Sequence, residues 1–161
     1  MNRYPETLHV VLVHPEIHWN TGNVGRTCLA AGARLHLVEP LGYSLDESEV
    51  RRAGLDYWPR VPLTVWRSWR SLEEQLGELG NEPWLFSAES ERCYWDVDYP
   101  ERAVLVFGRE SVGLPAELRE PYRERLLAIP QQDPALRSLN LSTAAALAIY
   151  EVLRQRAGPP R

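Results

Sequence analysis

The stretch from Leu126 to Arg156, LLAIPQQDPALRSLNLSTAAALAIYEVLRQR, decides how the rest of the chain is read. It opens as a short apolar strand, Leu126 to Ile129, which Pro130 stops because proline has no N–H to give a sheet ladder. Ser142 and Thr143 have the character of a helix cap, and the helix they open runs to about Arg156. Its first turns, Ala144 to Ile149, are apolar all round, so burial on more than one side is expected. Between strand and helix lies a polar loop with Gln131, Gln132, Asp133, Arg137, Ser138 and Asn140. Polar groups held between two buried elements are costly unless they find partners, and a ligand is one kind of partner.

Upstream, strands and helices alternate. Leu8–Val13, Arg34–Val38, Val61–Val65, Trp84–Ala88 and Ala103–Phe107 read as strands. Asn23–Ala31, Asp46–Ala53, Trp69–Leu79 and Pro115–Tyr122 read as helices. This alternation predicts an α/β fold, a mostly parallel sheet flanked by helices. At 161 residues the chain is expected to form one domain with a real core. Ligands of such sheets sit beyond the carboxyl ends of the strands, here the loops 14–22, 39–45, 88–98, 108–114 and 130–141.

Composition narrows the chemistry. All 18 basic residues are arginine, which removes Schiff-base lysines, a phosphate-loop lysine and a lysine base. The net charge of −4 means that any nucleic-acid site must be a local patch. Cys28 and Cys93 are too few and too far apart for a disulfide scaffold or zinc site and suit a reducing cytoplasm. No apolar run is long enough to span a bilayer, and the first residues, with a short apolar run that carries histidines, do not read as a signal peptide. His14 and His18 flank Glu16 without forming a convincing metal set.

Three motifs stand out. In Asn20-Thr-Gly-Asn-Val-Gly-Arg26, Gly22 and Gly25 would allow close backbone approach at a helix N-terminus, and Arg26 could clamp an anion; a glycine-rich turn with a surface arginine is the plainer reading. In Gly108-Arg-Glu-Ser-Val-Gly-Leu-Pro115, Gly108 at a strand end would admit a ligand to the backbone, and Glu110 could anchor a loop. In Arg137-Ser-Leu-Asn-Leu-Ser142, Ser138 and Asn140 can present donors and acceptors inward, while Ser142 caps the helix. The span 51–70 interleaves five arginines with Tyr57, Trp58, Trp66 and Trp69, which suits either RNA stacking or core packing.

Taken in order, NTGNVGR, FGRESVGLP and IPQQDPALRSLNLSTAAALAIYE resemble the SPOUT superfamily of S-adenosylmethionine-dependent RNA methyltransferases. HPEIHWNTGNVGR, LHLVEPLGYSLDESEVRRAGLDYW and RSLNLS are similar to its minimal branch, which methylates the ribose 2′-hydroxyl of the tRNA wobble nucleotide, position 34. The resemblance implies a cytoplasmic homodimer that acts on a tRNA anticodon loop, not on DNA or a membrane, without a metal; the alternatives are a 2′-O-methyltransferase for another tRNA or rRNA position and a non-catalytic RNA-binding protein of the same fold. It also implies a deep trefoil knot in the C-terminal part, approximately residues 84–157. By matching positions, Ala88, Gly108, Ile129, Ser138 and Leu139 would line the S-adenosyl-L-methionine pocket. Arg26 matches the catalytic arginine, and Asn20, Glu110, Ser138 and Asn140 match residues that complete the site, some of them supplied across the dimer. Two departures lie on loops near the expected RNA: the loop at 130–134 is one residue longer than usual, and His18-Trp19 replaces a proline-containing pair.

Overall fold

Two apolar runs, Leu8–Val13 (β1) and Ala103–Phe107 (β5 in chain order), are buried along their whole length, the pattern of parallel strands covered on both faces. In the computed structural model, which describes residues 3–46 and 56–158, they pair in parallel at the centre of a six-stranded sheet. The other strands are Arg34–Val38 (β2), Leu63–Trp66 (β3), Trp84–Phe86 (β4) and Leu126–Leu127 (β6). The order is β3-β2-β1-β5-β4-β6, and every pairing is parallel.

Side chains alternate across the sheet with period two. Leu8, Val10 and Leu12 of β1 join one core with Val24 and Cys28 of helix α1 (His18–Ala31). Ala145, Ala148, Ile149 and Val152 of the last helix, Leu141–Ala157, lie in that same core. Val11 and Val13 join a second core with Leu72, Leu76 and Leu79, carried by two short helices, α2 (Trp69–Glu73) and α3 (Leu76–Leu79). A further short helix, α4 (Ala116–Arg119), precedes the last helix, α5. α1 and α5 therefore share one face of the sheet, and burial of both is driven by their small and aliphatic residues.

Several boundaries differ from the sequence reading. The expected single helix Trp69–Leu79 breaks at Gln75, whose N–H turns back to Leu72 O at 2.8 Å. Strand β3 starts two residues late: Pro62 has no N–H for the ladder and serves only as acceptor for Leu35 N at 2.8 Å. β4 and β6 are shorter than expected, and Pro121 turns the chain after α4 into a 3₁₀ segment, Glu120–Arg125. The expected helix Asp46–Ala53 falls largely outside the described residues. Among the described residues no helix is long and apolar enough to cross a membrane.

A buried histidine pair crosses β1 and β2. His9 Nδ1 lies 3.0 Å from His36 Nε2, and Trp66 Nε1 donates to His36 Nδ1 at 2.9 Å. The indole can only donate, so His36 accepts at Nδ1 and donates from Nε2 to His9. Burial lowers both groups, His9 to about 4 and His36 well below the ordinary value, so both are neutral in the fold. In the unfolded chain they take up protons near pH ~6.5. Stability is therefore complete above that pH and falls as pH drops from there toward 4. In urea unfolding followed by circular dichroism we expect a loss of up to about 1.4 kcal/mol per pH unit per histidine. His9→Leu should shallow that slope, and a pH-independent stability in the native protein over this range would contradict the assignment.

Candidate active site

The sheet reverses direction of winding between β1 and β5, and in open α/β sheets this switch point is where ligands bind. Strand β6 lies at the sheet edge, beyond β4. The loop 130–140 leaves it and ends at Asn140, which touches Asn20 of α1. It must therefore cross above the carboxyl ends of β4 and β5. Beneath it lies a cavity of about 640 Å³, within the ~300–1,000 Å³ range of small-molecule sites. Phe86 and Phe107, stacked with ring centroids 4.6 Å apart, lie at the strand ends.

One chain of hydrogen bonds joins the loops. Glu110 accepts from the backbone N–H of Glu16 at 2.9 Å and of Ile17 at 2.8 Å. It also accepts from Asn20 Nδ2 at 3.2 Å. An ionised carboxylate only accepts, so the Asn20 amide must turn its nitrogen to Glu110 and its oxygen away. That oxygen accepts from Asn140 Nδ2 at 3.0 Å. Asn140 Oδ1 is then free to cap α5, accepting from Ser142 N at 2.9 Å and Thr143 N at 3.4 Å. Ser142 is thus not the cap expected from sequence; it is inside the helix, and its hydroxyl donates to the Asn140 oxygen at 2.6 Å. Two more contacts close the same seam. Glu16 Oε1 accepts from Ser111 N and Oγ at 2.9 and 2.6 Å, which holds the Glu16 carboxyl below its ordinary range. Arg137 Nη2 donates to Ser111 O at 2.9 Å.

Helix α1 begins at His18, five residues earlier than its glycines suggest. Ile17, at its start, offers no side-chain cap. Instead the Glu110 carboxylate arrives from the β5 loop to hold the entry, where negative charge is favoured. Gly22 and Gly25 are consequently within the helix and do not form an anion cradle. A Cβ on Gly25 would come within 2.7 Å of the Trp58 ring, so this glycine makes room for tryptophan. Gly108 also has an internal reason: a Cβ there would meet the Gly113 carbonyl carbon and Leu114 N at 2.2 Å, where the loop 108–114 folds back on itself.

The residues named from sequence gather at one place with one exception. Asn20, Glu110, Ser138, Asn140, Ala88, Gly108, Ile129 and Leu139 all line the cavity. Arg26 is outside it, exposed on α1, with its guanidinium carbon 5.6 Å above the Tyr57 ring. Burial raises the Tyr57 hydroxyl above its ordinary value, and that hydroxyl donates to Gly22 O at 3.0 Å. The sequence reading missed Arg119 and Glu89, which also line the cavity and are joined by a bond of 2.7 Å from Nη1 to Oε2. No local pattern marks either residue. Of the Arg/Trp stretch 51–70, Arg51 and Arg52 fall outside the described residues, while Tyr57, Trp58, Trp66 and Trp69 pack against the two cores. Among the described residues no group of three His, Cys, Asp or Glu side chains is arranged to hold a metal ion.

The sequence matches the SpoU rRNA Methylase family over residues 7–150, and the chain belongs to that family. A Listeria innocua protein is 44% identical over 151 residues, covering 92% of this chain and 88% of its own; it carries the provisional name tRNA (cytidine(34)-2′-O)-methyltransferase. A structure solved in work on the 2-OH methylation of C/U34 on tRNA superposes with a TM-score of 0.84 at 43% identity, over 97% of this chain and 94% of that one. An AdoMet-bound rRNA methyltransferase from Sinorhizobium meliloti has a TM-score of 0.78 at 27% identity, over 96% of this chain and 58% of that one.

The two roles of Asn140 can be separated. Asn140→Asp keeps a good cap but cannot donate to Asn20, and turning the Asn20 amide would set its oxygen against Glu110. We expect helix content to be retained and unfolding stability to fall by about 1–3 kcal/mol, the cost of a buried polar group left unpaired. A urea midpoint equal to that of the native protein would contradict the polarised chain.

Proposed function

We propose that this chain transfers a methyl group from S-adenosyl-L-methionine to the ribose 2′-hydroxyl of nucleotide 34 of tRNA, in the cytoplasm and as a homodimer. The observation that carries the reading is the cavity itself: the loops bearing the three motifs converge on it at the switch point of the sheet. The names of the relatives, at over two fifths identity across almost the whole chain, support the choice of substrate. The residues present suit the cofactor. Phe86, Phe107, Ile129 and Leu139 give an apolar slot for a nucleoside, and Glu89 and Arg119 give charged partners for an amino-acid end. Gly108, Ala88 and Ile129 would hold the nucleoside largely through backbone groups. In this reading residues 1–161 form a single domain, and the segment 84–157 is a trefoil knot, with the loop 130–140 as the threaded clasp over the cavity.

When bound, the cofactor supplies an activated methyl group for in-line displacement. The protein's task is to place the 2′-hydroxyl and manage its proton. Arginine stays protonated at ordinary pH and is a poor base. Arg26 therefore binds the substrate phosphate and orients the hydroxyl, with a phosphate oxygen or water taking the proton. Because Arg26 is outside its own chain's cavity, it serves the site from the partner copy of the homodimer. Tyr57 supports its guanidinium from below. Ser138 and Asn140 fix the ribose or the arginine.

Two experiments test this reading. Methylation of total tRNA in vitro, with the product mapped, should place the methyl group on the ribose of nucleotide 34; a product only at other positions would overturn the substrate assignment. Arg26→Lys should cut turnover at least tenfold with tRNA affinity nearly kept, and native turnover in that variant would refute a guanidinium-specific role.

A further inference from the structure

Arg119 is the last residue of α4, and it lines the cavity. Its Nη1 is engaged by Glu89, and its Nε is buried with no hydrogen-bond partner among the described residues. A buried donor left unpaired is costly, and a charged one more so. The same chain shows what this edge of a guanidinium does elsewhere. Arg34 uses Nε and Nη2 to grip both oxygens of Glu6 at 2.9 and 3.1 Å. Arg154 grips both oxygens of Glu151 through the same two nitrogens, at 2.9 and 2.7 Å. Side-on, two-bond pairing is the strong geometry between arginine and a carboxylate. In Arg119 Nη1 is tied to Glu89, and no carboxylate of the described residues meets the Nε edge.

We infer that Arg119 and Glu89 form a clasp for the amino-acid end of the cofactor. Arg119 takes the carboxylate on its Nε and Nη2 edge, and the largely exposed carboxylate of Glu89 accepts from the ammonium. The two protein charges cancel each other, as do the two charges of the amino-acid group. The clasp therefore selects the zwitterion and adds no net attraction for other anions. It rests on the cofactor reading given above and deepens it: it assigns residues that distinguish a cofactor with its amino-acid end from a nucleoside thioether without one.

The test is calorimetric binding of S-adenosyl-L-homocysteine and of 5′-methylthioadenosine, which lacks the amino-acid end, to the full chain. The native protein should prefer the first by tenfold or more. Arg119→Met should compress that preference at least tenfold through loss of S-adenosyl-L-homocysteine affinity, with 5′-methylthioadenosine binding unchanged. Glu89→Gln should compress it by a smaller factor. An unchanged preference in Arg119→Met, or an equal loss for both ligands, would overturn the clasp. Should Arg119→Met fail to fold, Arg119→Lys decides, since it keeps the charge and loses the fork: a native preference there overturns the inference. If the native protein binds both ligands equally, the clasp fails and the cofactor reading stands. If it binds neither, the cofactor reading itself fails.

Discussion

The carboxylate of Glu110 is the constraint on which the site depends. It arrives from the loop after β5 and accepts from two successive backbone N–H groups where the chain leaves β1 for α1. It thereby starts the first helix, which has no cap of its own. Because it accepts only, it sets the orientation of the Asn20 amide, and Asn20 in turn sets Asn140. The last member starts the last helix. Both helices that share one face of the sheet are thus begun by one string of polar groups, and the cavity is closed by the loop that this string holds in place.

Such a string is weak in any one bond and strong as a set. A single neutral hydrogen bond contributes about 0.5–1.5 kcal/mol, but each of these groups is oriented by the next, so that the loss of one member disturbs the others. The second seam, Glu16 to Ser111 to Arg137, runs beside it. Together they let a polar loop of a dozen or so residues lie over a sheet without regular structure.

What could be read from sequence follows the range of the forces involved. Leu8–Val13, Arg34–Val38 and Ala103–Phe107 match the observed strands because burial on both faces writes itself as a mostly apolar run, broken here only by Arg34 and by the paired His9 and His36. The start of α1 is hidden because its cap comes from Glu110, more than ninety positions away, and because Gly22 and Gly25 suggest a loop until Trp58 is seen filling the space beside Gly25. Ser142 has the residue type of a cap, yet Asn140 holds that role, since only Asn140 also meets Asn20. Ordered motifs picked out Asn20, Glu110 and Asn140, which line the cavity. They could not locate Arg119, whose significance is a missing partner and so exists only in three dimensions.

Glu110, Asn20 and Asn140 act as one unit. A double-mutant cycle on unfolding stability with Glu110→Gln and Asn140→Ala tests it most directly, because among the described residues these two make no direct hydrogen bond and Asn20 bridges them. A coupling of about 1 kcal/mol or more is expected, within the range found for members of one network. Costs that add to within about 0.3–0.5 kcal/mol, as for independent sites, would contradict it.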